Sequence, residues 1–164
     1  MEPERRRAAL PFAVLGVVFV VIGGLVAAAT APVASEHGSW AAAYLVLVAG
    51  VSQAGLGIGQ AVLARRVPSR RVLNVELATW NVGNAAVIAG TLLEATTLVD
   101  VGGLVLLVTL VLMIRAVRGA GAGADTTTGT ARLGGWPLHT FRILVLVLLV
   151  TIPIGLVLAR IGPT

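Results

Sequence analysis

No cysteine occurs among the 164 residues, which excludes disulfides, thiolate metal sites and a cysteine nucleophile. Charge is scarce too: Asp, Glu, Lys and Arg make up 12% of the chain, against about 25% in a typical soluble domain. With 57% of residues hydrophobic, too little polar surface remains to face water, so the main solvent of this chain must be lipid. Lysine is absent, and all twelve basic residues are Arg, giving a net charge of +5. They fall in short clusters between apolar runs, as topology signals do, and form no stripe that would suit a nucleic acid. No nucleic-acid partner is expected. There is also no Ser–His–Asp set, no paired carboxylates and no HExxH sequence, so the expected role is not enzymatic.

What the chain does have is long apolar runs. A helix needs about 20 mainly apolar residues to cross a bilayer. Segments 11–31, 40–64, 72–93, 98–117 and 138–159 meet that requirement. Pro11 and Pro137 suit the first turns of the first and last, where a missing amide hydrogen costs nothing. Arg5, Arg6 and Arg7 precede the first span; Arg65, Arg66, Arg70 and Arg71 separate the second from the third. Arg115, Arg118 and Arg132 lie between the fourth and fifth. All ten belong to alternate connections, which should be cytoplasmic. The other side holds Glu36, Glu94 and Asp100, with Arg160 its only Arg. The reading is an all-α integral membrane protein of the inner (plasma) membrane. It has one domain, residues 1–164, with five spans, the N-terminus cytoplasmic and the C-terminus external.

Three local features refine this picture. Thr97 and Asp100 have capping-box spacing, with Thr97 as N-cap of the fourth span. Residues 119–135, GAGAGADTTTGTARLGG, read as a flexible cytoplasmic linker without apolar period. Residues 1–35 resemble a signal peptide in their Arg run and in the Val33-Ala34-Ser35 triplet, but their apolar run is longer than such peptides carry. A retained first helix is therefore expected, with a kink at Pro153 in the outer half of the last one.

The polar side chains concentrate in the second and third spans, within VSQAGLGIGQ and ELATWNVGN. Gln60, Glu76 and Arg142 each lie five residues inside the Arg or Pro at their helix ends, roughly 7–8 Å deep at 1.5 Å per residue. No basic residue stands three or four positions from Glu76, so a charge partner must come from another helix. Arg142 is the first candidate, then Arg65 or His139, with Gln60 taking a remaining carboxylate lone pair. Gln53, Asn81 and Asn84 form a second, deeper layer. Glu76, Trp80, Asn84, Val87 and Thr91 share one face at i, i+4 spacing. Gly50, Gly55, Gly57 and Gly59 give the second span a small-residue face on which that stretch should pack closely. His37 and Glu36 could touch a metal, but two ligands from one loop make a weak site. The two histidines fall on opposite sides of the membrane, so no metal or haem centre and no cofactor are expected.

Three functions fit. The first is an accessory or assembly subunit, or a self-associating scaffold, packed through the polar, Gly-rich seam. Its partner would be a second copy or another membrane subunit. The second is a small oligomeric transporter or channel, with Gln60, Glu76, Gln53, Asn81 and Asn84 as a proton or solute path. The third is a haem- or quinone-binding redox anchor.

Overall fold

The computed structural model describes residues 2–33, 35–64, 67–118 and 135–161, apart from the side chains of 118, 135–138 and 153–161. All regular structure among them is helical: α1 (Pro3–Thr30), α2 (Glu36–Tyr44), α3 (Gln53–Leu63), α4 (Arg70–Leu92), α5 (Thr96–Arg118) and α6 (Gly135–Ile161). A 3-10 turn, Ala31–Val33, ends α1, and a π-helical stretch, Leu45–Ser52, joins α2 to α3. Three stretches, Pro3–Val33, Glu36–Leu63 and Thr96–Val117, are long and apolar enough to cross a membrane by length and composition. α4 has comparable length, 23 residues, but its arginines, asparagines and Glu76 leave it outside that set. In α6, His139–Ile152 is a shorter apolar helix.

Several boundaries differ from the sequence expectation. α1 starts at Pro3 and not near Pro11, which sits inside the helix. Pro3 already takes the early position where a missing N–H is harmless, and Pro11 leaves one carbonyl of the preceding turn without its amide partner. α2 begins at Glu36, four residues ahead of the expected span, because the Ser35 hydroxyl accepts from Gly38 N–H at 3.1 Å. Glu36 and His37 therefore lie in a first helical turn and not in a loop. Ser69 caps α4 in the same way through Val72 N–H. α5 begins at Thr96, and the Ala95 carbonyl already accepts from Leu98 and Val99 N–H, so Thr97 is inside the helix and is not its N-cap. α4 closes in a Schellman arrangement with Ala95 N–H on Gly90 O and Glu94 N–H on Thr91 O. Glu94 holds the left-handed position there at φ 55°. The predicted linker falls outside the described residues apart from Gly135, which opens α6; Arg65, Arg66 and Arg132 also lie outside. So does the side chain of Pro153, through which the backbone of α6 stays helical.

The helices pack as two groups. α1 lies along the π stretch and α3, α4 lies along α5, and α6 leans on α5 and α3. Glycines set both close crossings. A Cβ added at Gly50 would meet Gly16 O at 2.9 Å, and one added at Gly102 would meet Gly83 O at 2.8 Å. Small residues at such crossings let backbones approach where lipid offers no hydrophobic drive for association.

Candidate functional site: a buried polar seam

The glycine face of the second span is already occupied. Gly50 and Gly57 take α1, against Val20 and Phe12, while Gly55 and Gly59 take α6, against Leu144 and Phe141. The close packing of α4 on this face, expected from the sequence, does not occur. α3 and α4 backbones scarcely touch, and the long Gln60 and Glu76 side chains reach across the space between them. The physical reason is size: Trp80, buried to 0% exposure on α4, is too bulky for a glycine-type crossing.

Gln60 and Glu76 meet across that space. Gln60 Nε2 donates to both carboxylate oxygens of Glu76, at 3.1 and 2.9 Å, and each residue is 1% exposed. Trp80 and Asn84 follow Glu76 at four-residue steps on one face, so all three point into the interior together with Val87. Gln53 lies two turns from Gln60 on the same face of α3, also 1% exposed. Since α3 and α4 run antiparallel, Gln53 and Asn84 stand at about one level, roughly 10–12 Å beyond the Gln60–Glu76 contact.

Much of this seam lacks partners. Both side-chain polar atoms of Gln53, Gln60 Oε1, Trp80 Nε1 and Asn84 Oδ1 are buried without a hydrogen bond. Asn84 Nδ2 turns back to the Trp80 carbonyl of its own helix at 2.8 Å and bonds nothing on α3. The π stretch ends at Ser52, immediately before Gln53, with the Ser52 hydroxyl bonded to Leu47 O at 2.8 Å. π segments inside helices occur often at working sites.

Two predicted members lie elsewhere. Arg142 is on the exposed side of α6, one residue from the buried Phe141, and the 100° helical step carries it away from Glu76. Among the described residues, Glu76 is met by Gln60 and by no cation; His139 is exposed as well. Asn81 is half-buried on another face of α4, where its amide donates to Leu77 O at 2.7 Å. No group of three His, Asp or Glu side chains forms among the described residues, and Glu36 and His37 are exposed.

Two tertiary contacts and the π stretch carry no sequence expectation above. Arg5 donates through Nη1 to the carbonyls of Ala61 (2.7 Å), Val62 (3.3 Å) and Ala64 (3.0 Å), tying the start of α1 to the end of α3. A cation is favoured there by the unsatisfied carbonyls and the helix dipole. The Thr79 and Thr109 hydroxyls bridge α4 and α5 at 2.9 Å. Thr109 is the one polar residue in LVLLVTLVLM, which was the available signal. The π stretch had no comparable signal. Comparison with protein-family models, curated proteins and solved structures gives no match for this chain.

Proposed function

We propose that this chain is a five-span, non-enzymatic protein of the inner membrane, and that its buried seam handles a proton or a small polar solute. One observation carries this reading: five buried polar atoms without partners flank the Gln60–Glu76 contact on facing helices. A network serving only to fix helix register would bond across the interface. Gln53 and Asn84 make no such bond. Each unsatisfied buried group costs about 1–3 kcal/mol, and such groups are understood where a water, ion or substrate supplies the missing bond. An ionisable residue inside a span is a functional candidate for the same reason.

The test is flux into liposomes holding the purified protein, read with an internal pH dye for protons and by light scattering for glycerol. Flux above empty liposomes is expected, with Glu76→Gln abolishing it while the unfolding temperature stays within a few degrees. No flux from the wild-type chain would overturn the proposal. The orientation, N-terminus cytoplasmic and C-terminus external, is supported by the distribution of Arg. A C-terminal tag should then be accessible on intact cells.

A second reading is a self-associating or accessory subunit. A Cβ at Gly24 would meet nothing within 4 Å, and Ala28 is exposed one turn on, so α1 presents an open small-residue stripe. Native mass spectrometry would separate a closed homo-oligomer from a fixed foreign subunit. Under this reading Gly24→Ile disperses the assembly without unfolding the chain.

A further inference from the structure

The thin contact between α1 and α4 leaves a furrow that the seam does not use. At the arginine-rich end a cleft of about 530 Å³ opens between the first turns of these helices, edged by Glu4, Arg7, Arg70 and Asn74 and floored by Pro11 and Leu73. Asn74 also lines a second hollow of about 460 Å³ immediately along the helices, where Leu15, Leu77, Ala78 and Asn81 form the wall. One furrow thus runs from a charged mouth to an apolar trough. The surface of the trough is mainly apolar, supplied by Leu15, Leu77 and Ala78, while Asn81 turns its Nδ2 back to Leu77 O of its own helix. From Arg70 to Asn81 the furrow covers roughly 16 Å of helix at 1.5 Å per residue, enough for much of one acyl chain.

Charge selects among occupants. The mouth holds two arginines against one glutamate, and the adjoining exposed Arg6 and Arg71 add further positive charge. A phosphodiester without its own ammonium group would balance that excess. A choline or ethanolamine headgroup would carry a cation into it. Basic pockets between membrane helices hold anionic headgroups by this logic.

We propose that the α1–α4 furrow binds one anionic glycerophospholipid, its phosphodiester at Arg7 and Arg70 and an acyl chain over Leu15, Leu77 and Ala78. The site does not depend on whether the buried seam conducts. It would couple the two helix groups, which otherwise meet at few points on this side.

The experiment is native mass spectrometry of the delipidated full chain, titrated separately with phosphatidylglycerol, phosphatidylcholine, phosphatidylethanolamine and inorganic phosphate. One phosphatidylglycerol should be retained, several-fold more tightly than phosphatidylcholine. Arg7→Gln and Arg70→Gln should each weaken it about fivefold, the worth of one basic residue at an anionic surface. Ala78→Phe, which leaves charge unchanged and fills the trough, should also displace it. Arg115→Gln, elsewhere on the surface, should not. Equal retention of phosphatidylglycerol and phosphatidylcholine would overturn the site as annular lipid. Preference for phosphatidylethanolamine would overturn the anionic assignment, with Glu4 then reading an ammonium. Competition by millimolar inorganic phosphate would reduce it to a free-anion site. If an Arg variant fails to fold, Ala78→Phe decides alone: phosphatidylglycerol should raise the unfolding temperature of the wild type and not of this variant, and equal rises would refute the proposal.

Discussion

α4 meets α5 and α3 in opposite ways. Toward α5 it offers Gly83 and Gly90, which let Gly102 and Val99 approach its backbone, and a Thr79–Thr109 hydroxyl contact. Toward α3 it offers Glu76, Trp80 and Asn84, and the backbones stay apart. The first interface is close, and its threonine hydroxyls are bonded. The second is polar, propped open by large side chains, and holds all five of the unpartnered buried polar atoms found among the described residues. In lipid, association rests on close backbone contact and hydrogen bonding. The α5 side has both, so the polar groups on the α3 side are not needed to hold the helix in place.

The largest expected effect breaks the close side. A Cβ at Gly102 would lie 2.8 Å from both Gly83 O and Val87 N, backbone atoms with no room to yield. Gly102→Val should cost more than about 3 kcal/mol, beyond the usual cost of overpacking. Gly24→Ala, where the added methyl meets nothing, should leave unfolding unchanged. Reversible unfolding in mixed micelles checks both, and an equal effect at the two positions would show that the crossing is not tight.

Next comes the one cross-helix bond of the polar side. Glu76→Leu strands the Gln60 amide in an apolar interior and should cost about 1–3 kcal/mol. Gln60→Leu combined with Glu76→Leu removes both partners and should recover much of the loss, since an apolar pair needs no hydrogen bond. A double variant as unstable as the sum of the two would mean that further groups hold the pair.

Much of this contrast was legible in the chain, and some was not. Periodicity alone placed Glu76, Trp80, Asn84, Val87 and Thr91 on one face, because i, i+4 spacing is a property of the helix itself; the first four are buried and Thr91, at the end of the row, is half-buried. The Gln60–Glu76 contact followed from counting depth inward from Arg65 and Arg71. Which helix each glycine faces was not readable. A small-residue face announces close approach but not its partner, and Gly50, Gly55, Gly57 and Gly59 went to α1 and α6. Arg142 was matched to Glu76 by depth, but depth leaves rotation about the helix axis free, and the neighbouring Phe141 claimed the interior. The extended start of α1 reflects Arg5, whose reach to the end of α3 depends on tertiary placement that no local pattern reports.

A smaller effect, of opposite sign, separates function from stability on the polar side. Gln53 has neither amide atom bonded, so Gln53→Leu removes an unsatisfied group of similar size and should leave stability equal or raise it by about 1 kcal/mol. If the seam handles a proton or solute, the same change should lower flux in liposomes. Asn84→Leu should act in the same direction but gain less, because its Nδ2 is already bonded to the Trp80 carbonyl. A marked loss of stability in Gln53→Leu would mean that the amide is doing structural duty, and the reading of the seam as a path would lose its main support.

The smallest effect is expected at the hydroxyl bridge of the α5 side. Thr109→Val keeps the shape of the side chain and removes its hydroxyl. Thr79 keeps its own bond to the Val75 carbonyl at 2.8 Å, and the Val105 carbonyl that Thr109 also faces at 2.9 Å remains within its helix. No donor is stranded, so the loss should be near the average for a polar contact between membrane helices, about 0.6 kcal/mol. The two faces of α4 then differ in kind: losing the hydrogen bond on the α5 side strands no donor, whereas losing Glu76 on the α3 side strands the Gln60 amide. A loss above about 1.5 kcal/mol, near the top of the range for such contacts, would show that the threonine pair shares the work of Gly83 and Gly102.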